Sequence, residues 1–146
     1  MPAPTPPYRL TSPLAYENGV IRLPALVGRL GSSDLAGSLD IDIRPARPDD
    51  VEAIAQLVRE LAEYEREPQE AVATGADFEA ALFGPESKVH ALVAEVPGPD
   101  GPSVQGMAVW FVTFSTWKGR HGLWLEDLFV VPEHRRLGIG RALLAE

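Results

Sequence analysis

Between residues 123 and 141 the sequence passes from an apolar strand pattern, through Pro132, into Arg135-Arg136-Leu137-Gly138-Ile139-Gly140-Arg141. This order constrains the fold more than any other stretch. The run over 123–131 reads as a strand, Pro132 breaks it, and the glycine-bearing segment opens a helix. A strand that feeds such a loop and then a helix start can hold a phosphate. The first N–H groups of a helix have no internal partners, and the helix dipole adds partial positive charge there. Gly138 and Gly140 let a ligand approach the backbone without Cβ collisions. Arg135, Arg136 and Arg141 add positive charge to a chain whose formal net charge is −8. An ordinary strand-to-helix turn with solvated arginines fits the same local residues equally well.

The rest of the chain supplies the elements that such a turn needs around it. Ile41-Asp42-Ile43-Arg44 alternates apolar and polar and predicts a strand. Pro48 and Asp49 then open a helix, with Asp49 as the cap and Glu52 reaching back to it. Val51, Ile54, Leu57, Val58, Leu61 and Tyr64 recur at helical spacing and make one apolar face. Pro68 halts that helix. Thr74 and Asp77 form a capping-box pair for a second, short helix, which Gly84-Pro85 ends. Strands are predicted over 89–96, 104–114 and 123–131. The middle one is apolar on both faces, as a central strand covered by helices should be. The order of strand, two helices, three strands and a helix start predicts an α/β domain over residues 41–146. Residues 1–40 carry six prolines and no lasting period, so a flexible leader is expected there, with Asn18-Gly19 able to turn one short hairpin.

Composition narrows the function classes. A length of 146 residues suits one domain. The acidic balance argues against nucleic acid as a partner, because phosphate neutralisation needs clustered Lys and Arg. No apolar run approaches the roughly 20 residues of a membrane span. The chain has no cysteine, which excludes disulfides, a thiol nucleophile and thiolate zinc sites, and fits a cytoplasmic location. An acidic surface is compatible with a cationic substrate. The run Glu63, Glu65, Glu67, Glu70 is either a solvated helix end or the rim of a site for such a substrate.

Arg135-x-x-Gly138-x-Gly140 after an apolar strand resembles the acetyl-CoA motif of the GCN5-related N-acetyltransferases, and the preceding element order matches that fold. Leu61-Ala62-Glu63-Tyr64-Glu65, Phe114-Ser115-Thr116-Trp117 and Leu125-Glu126-Asp127-Leu128-Phe129-Val130 resemble the diamine (spermidine/spermine-type) acetyltransferases within that superfamily. The resemblance covers residues 41–146. It implies a mixed, mostly antiparallel sheet flanked by helices, with the C-terminal strands of the family fold missing, so that the chain is expected to be truncated after Glu146. It implies acetyl transfer from acetyl-CoA to a primary amine of a small cation, a diamine or lysine-like molecule, and a possible homodimer. An inactive fragment, or an enzyme for an aminoglycoside or a protein N-terminus, are the alternatives.

The same resemblance assigns residues. Phe129, Val130 and Val131 would lie along the pantetheine arm, and Leu137, Gly138, Ile139, Gly140 and Arg141 would offer N–H groups to the pyrophosphate, with Arg135 and Arg136 beside it. Glu126 and Asp127 would hold or deprotonate the amine. Burying an unpaired carboxylate is costly, so this pair within an apolar strand stands out on its own chemistry. In a regular strand the two point to opposite faces, and only one would reach the acceptor unless a bulge intervenes. Pairing of one with an arginine and exposure of the other is the structural alternative. His134, beside the glycines, could touch the cofactor, but an exposed loop histidine is the favoured expectation.

Overall fold

The computed structural model describes residues 8–10, 15–17, 20–30 and 33–146, with side chains from Asp40 onward. The strands are β1 (Tyr8–Leu10), β2 (Ala15–Glu17), β3 (Val20–Leu30), β4 (Ser33–Pro45), β5 (Val89–Val96), β6 (Ser103–Ser115) and β7 (Arg120–Val130). The helices are α1 (Val51–Glu65), α2 (Gly75–Phe83) and α3 (Ile139–Ala145). The strands form one sheet in the order β1-β3-β4-β5-β6-β7, with β2 paired to β3. Every pairing is antiparallel. The expected α/β class with a mostly antiparallel sheet flanked by helices is therefore what the chain adopts. The pairing Ala15↔Arg22 and Glu17↔Val20 matches the expected hairpin, while its turn residues 18–19 lie outside the described residues. The flexible-leader expectation likewise falls in part on residues outside them.

Alternation along the strands divides the core into two layers. Ala91, Val93, Met107, Val109, Phe129 and Val131 face α1 and α2, and pack against Ile54 and Leu57. Ala94, Val96, Ala108, Ile41 and Ile43 face the other way and pack against Leu137, Ile139, Ala142 and Leu143. The buried stretches of β5 and β6 thus have helix cover on both sides, which explains their near-continuous apolar sequence, whereas only the end of β7 is covered. Burying each large aliphatic side chain contributes about 1.5–3 kcal/mol. Gly106 marks where α3 comes down on the sheet, because a Cβ there would lie 3.2 Å from Cγ2 of Ile139.

The start of α1 corrects one expectation. Asp49 does not cap it. Pro48 begins a single tight turn, Pro48–Asp50, so the α-helix starts at Val51 and Asp50 takes the boundary position. The Asp50 carboxylate accepts from the Arg47 N–H at 2.7 Å and from both terminal nitrogens of Arg44 at 2.7 and 2.9 Å. Arg44 also reaches Glu95 Oε2 at 2.7 Å. This network joins β4, the turn and β5. Glu52 serves a different helix, with its Oε1 lying over Gly75 at the start of α2. The Thr74–Asp77 capping box forms as expected: the Asp77 carboxylate accepts from Thr74 N–H at 2.8 Å. α1 ends at Glu65, before Pro68, with Arg66 in the left-handed conformation at φ 66°. Its expected apolar face holds for Val51, Ile54 and Leu57, but Tyr64 stands 66% exposed, outside the core.

The Arg44–Asp50 pair has a testable consequence. Burial alone would raise the Asp50 carboxyl, but the hydrogen bonds from Arg44 and Arg47 outweigh it and hold the pKa below its ordinary value. A carboxyl depressed on folding contributes stability at neutral pH that is lost as pH falls through its folded pKa. Asp50→Ala is expected to lower unfolding stability by about 3 kcal/mol at neutral pH, since it leaves Arg44 short of its bidentate partner. Urea titrations should show the gap between wild type and variant narrowing on acidification.

Candidate active site

β7 lies at the edge of the described sheet, and its pairing with β6 slips by one residue in the middle. Val109 pairs with Asp127, but the next residue, Trp110, pairs with Leu125. Glu126 is therefore the extra residue of a β-bulge. A bulge disturbs the alternation of side chains between the two faces. Asp127 shares a face with Val109, which packs under α1 and α2. Glu126 Oε2 accepts from Trp124 Nε1 at 2.9 Å, and the Trp124 ring stacks on Phe111 with centroids 6.5 Å apart. Trp124 pairs with Phe111, two positions along β6 from Val109, so it lies on that face too. The bulge thus brings two consecutive carboxylates to the α1 side of the sheet.

Their environments differ. Glu126 is exposed and Asp127 is half-buried. Burial first, then the charges of Glu126 and of Glu65 on α1, push the Asp127 carboxyl above its ordinary pKa. Glu65, a member of the acidic run on α1, is one of the charges that act on Asp127.

A cleft of about 520 Å³ is formed by the last turn of α1, the end of β7 and the glycine loop; it is lined by Glu65 and by Leu128, the residue after the pair, and not by Glu126 or Asp127 themselves. Of the residues expected to hold a cofactor, Phe129, Val130, Arg135, Arg136, Gly138, Ile139, Gly140 and Arg141 line it. Val131 and Leu137 do not. Val131 turns under α1, and Leu137 is fully buried against the sheet. Leu137 and Ile139 act as anchors that fix the loop, while the glycines between and after them stay open. Gly138 has φ 83° and Arg136 φ 67°, a left-handed conformation that costs a non-glycine residue roughly 1–2 kcal/mol. A Cβ on Gly140 would meet nothing within 4 Å. Packing therefore does not explain that glycine. The space beside it is open, and glycine inside a helix costs about 1 kcal/mol relative to alanine.

The cleft also holds Leu61, Tyr64, Glu65 and Leu128, none of them assigned a cofactor contact from sequence, and His134, for which such a contact was the less favoured reading. The available signal was the helical spacing that puts Leu61, Tyr64 and Glu65 on the last turn of α1. His134 corrects its expectation as an exposed residue: it is 8% exposed. The Pro132–His134 turn folds its ring inward, and burial, only partly opposed by Glu133, lowers its pKa. Arg135 is held on the protein itself. Its Nε donates to the Val130 carbonyl at 2.8 Å, and its guanidinium carbon lies 4.9 Å from the Tyr64 ring centre and 5.4 Å from that of Phe129.

An antiparallel sheet flanked by helices, with an edge bulge, a glycine loop and a cleft at its end, defines the α/β class of the domain. The acetyltransferase (GNAT) family profile matches residues 52–146, and the chain belongs to that family, whose members use acetyl-CoA as co-substrate. A thialysine N-epsilon-acetyltransferase of Bos taurus is 42% identical over 106 residues, which takes in 70% of this chain and 62% of that protein. A spermidine/spermine N(1)-acetyltransferase-like protein 1 of Homo sapiens is 34% identical over 105 residues, 70% of this chain and 15% of that protein. A possible acetyltransferase from Clostridium difficile 630, solved by crystallography, aligns with TM-score 0.58 at 30% identity, over 72% of this chain and 66% of that one. The chain spans less than two thirds of the length of the bovine protein. No helix among the described residues is long and apolar enough to cross a membrane.

The raised Asp127 pKa makes a prediction independent of substrate. A carboxyl raised on folding contributes most below its unfolded pKa, and the contribution is lost as pH rises through the folded value. Asp127→Asn removes this loss. The variant is expected to melt at a higher temperature than wild type at neutral pH, and the two curves should converge in acid.

Proposed function

We propose that the protein transfers an acetyl group from acetyl-CoA to a primary amine of a small cation, a diamine or a lysine-like molecule. The observation that carries this reading is the bulge at Glu126, which sets two carboxylates on one face beside the cleft. With Glu65 they make an acidic corner that suits an ammonium group and disfavours an anion. The relatives named for thialysine and for spermidine/spermine support an acceptor of that charge.

The co-substrate supplies a thioester: the amine nitrogen forms a bond to the acetyl carbon, the carbon–sulfur bond breaks, and CoA leaves as a thiolate that takes up a proton. The amine must first lose its own proton. Asp127, half-buried and with its pKa raised by burial and by Glu126 and Glu65, accepts that proton, and Glu126 holds the cation at the exposed end. The loop from Arg136 to Arg141 suits a pyrophosphate, since Gly140 leaves the helix start uncovered and Arg136 and Arg141 add charge. Phe129 and Val130 suit the pantetheine arm along the outer edge of β7. The absence of cysteine fits action in the cytoplasm, and the same reading carries the expectation of a homodimer.

Transfer of radiolabelled acetyl from acetyl-CoA is expected with thialysine, lysine, putrescine or spermidine, in preference to aminoglycosides and peptide N-termini under competition. No label on any small cationic amine would overturn the proposal. Asp127→Asn should lower kcat by about 10²-fold or more, the range for loss of a general base, while Glu126→Gln should act mainly on the KM for the amine. Gly140→Ala should separate fold from function. It is expected to raise stability by up to about 1 kcal/mol and to weaken acetyl-CoA binding, measured by calorimetry; unchanged affinity would exclude the loop as the pyrophosphate site.

A further inference from the structure

The position of Arg135 is the feature of the cleft that the proposed chemistry does not use. Its guanidinium sits between the rings of Tyr64 on α1 and Phe129 on β7, and its Nε is bonded to the Val130 carbonyl. That carbonyl is on the outer edge of β7, because the neighbouring Val131 N–H points inward to Gln105 O at 3.0 Å and backbone groups of successive strand residues point to opposite sides. One side chain therefore touches all three walls of the cleft: the helix end, the strand end and the glycine loop. We infer that Arg135 is a positioning residue that ties the cofactor end of the cleft to its acceptor end, and this inference rests on the acetyl-CoA reading given above.

The coupling runs through two contacts. At one end, the charge-assisted bond fixes the Val130 carbonyl and, with it, the peptide edge along which a pantetheine arm would lie. At the other, stacking holds Tyr64, which is 66% exposed and lacks core packing of its own. Tyr64 is adjacent to Glu65, the α1 carboxylate that acts on Asp127. Glu126, on the same strand as Asp127, is the other charge acting there, and Val109, opposite on β6, carries none. Loosening Arg135 thus releases the Tyr64 ring, which lines the cleft beside Glu65. A planar guanidinium with an Nε donor can stack and bond at once; an ammonium group cannot do both.

Arg135→Ala and Arg135→Lys should be compared with wild type under saturating conditions for each substrate in turn. Both variants are expected to raise the KM for acetyl-CoA and the KM for the amine by about tenfold, with kcat changed much less. Tyr64→Ala, which removes no core residue, should raise the amine KM alone, and should add little to Arg135→Ala in the double variant. Rescue of the acetyl-CoA KM by Arg135→Lys would mean that Arg135 acts as a simple charge toward the phosphates and would overturn the inference. An unchanged amine KM in both Arg135 variants would overturn it as well. Absence of any acetyl-CoA-dependent transfer by the wild type would instead remove the reading on which it rests.

Discussion

One inserted residue in the pairing of β6 with β7 sets the geometry of the proposed acceptor corner. Without the slip at Glu126, the side chains of Glu126 and Asp127 would straddle the sheet, one beneath α1 and the other on the α3 side. With it, both lie on the α1 side, next to Glu65. Three carboxylates in one corner repel each other, and burial adds to the penalty at Asp127. The fold tolerates this because the corner is at a strand edge, where Glu126 keeps its contact with solvent and takes a hydrogen bond from Trp124. Stability is given up at that point, and a raised carboxyl suited to accept a proton is what results.

The glycine loop shows the complementary arrangement. Leu137 and Ile139 are buried in the layer between sheet and α3, so the loop has little freedom to shift. Around these anchors the backbone is driven into left-handed conformations at Arg136 and Gly138. Such strain persists only where the surrounding packing over-determines it. The arrangement leaves Gly140 uncovered at the start of α3 and Arg136 and Arg141 on the cleft wall. Anchoring and exposure alternate residue by residue, which is how a rigid backbone can present N–H groups to a ligand without collapsing onto them.

Much of this was legible in the sequence. The strands over 89–96, 104–114 and 123–131, the two helices before them and the capping box at Thr74 all follow from period and local chemistry, because each depends on neighbours in sequence. The features that escaped depend on neighbours in space. Nothing in the sequence around Glu126 announces a bulge, since the register is set by how β6 and β7 meet. Asp50 could not be told from Asp49 as the boundary of α1, because the choice was made by Arg44 and by the tight turn that Pro48 begins. Tyr64 fits the apolar period of α1 but lies beyond the reach of the sheet, where a cation from the glycine loop takes it up instead. His134 is drawn inward by a turn that its own residues do not signal.

The account depends most on Glu126 and Asp127 sharing a face, and side-chain carboxyl titration by carbon NMR tests that directly. If the bulge is present, the Asp127 carboxyl titrates above the ordinary aspartate range and moves downward in Glu126→Gln, as one of the two charges that raise it is removed. If Asp127 titrates as an ordinary aspartate and ignores Glu126→Gln, the two side chains lie on opposite faces and the proposed acceptor corner does not exist.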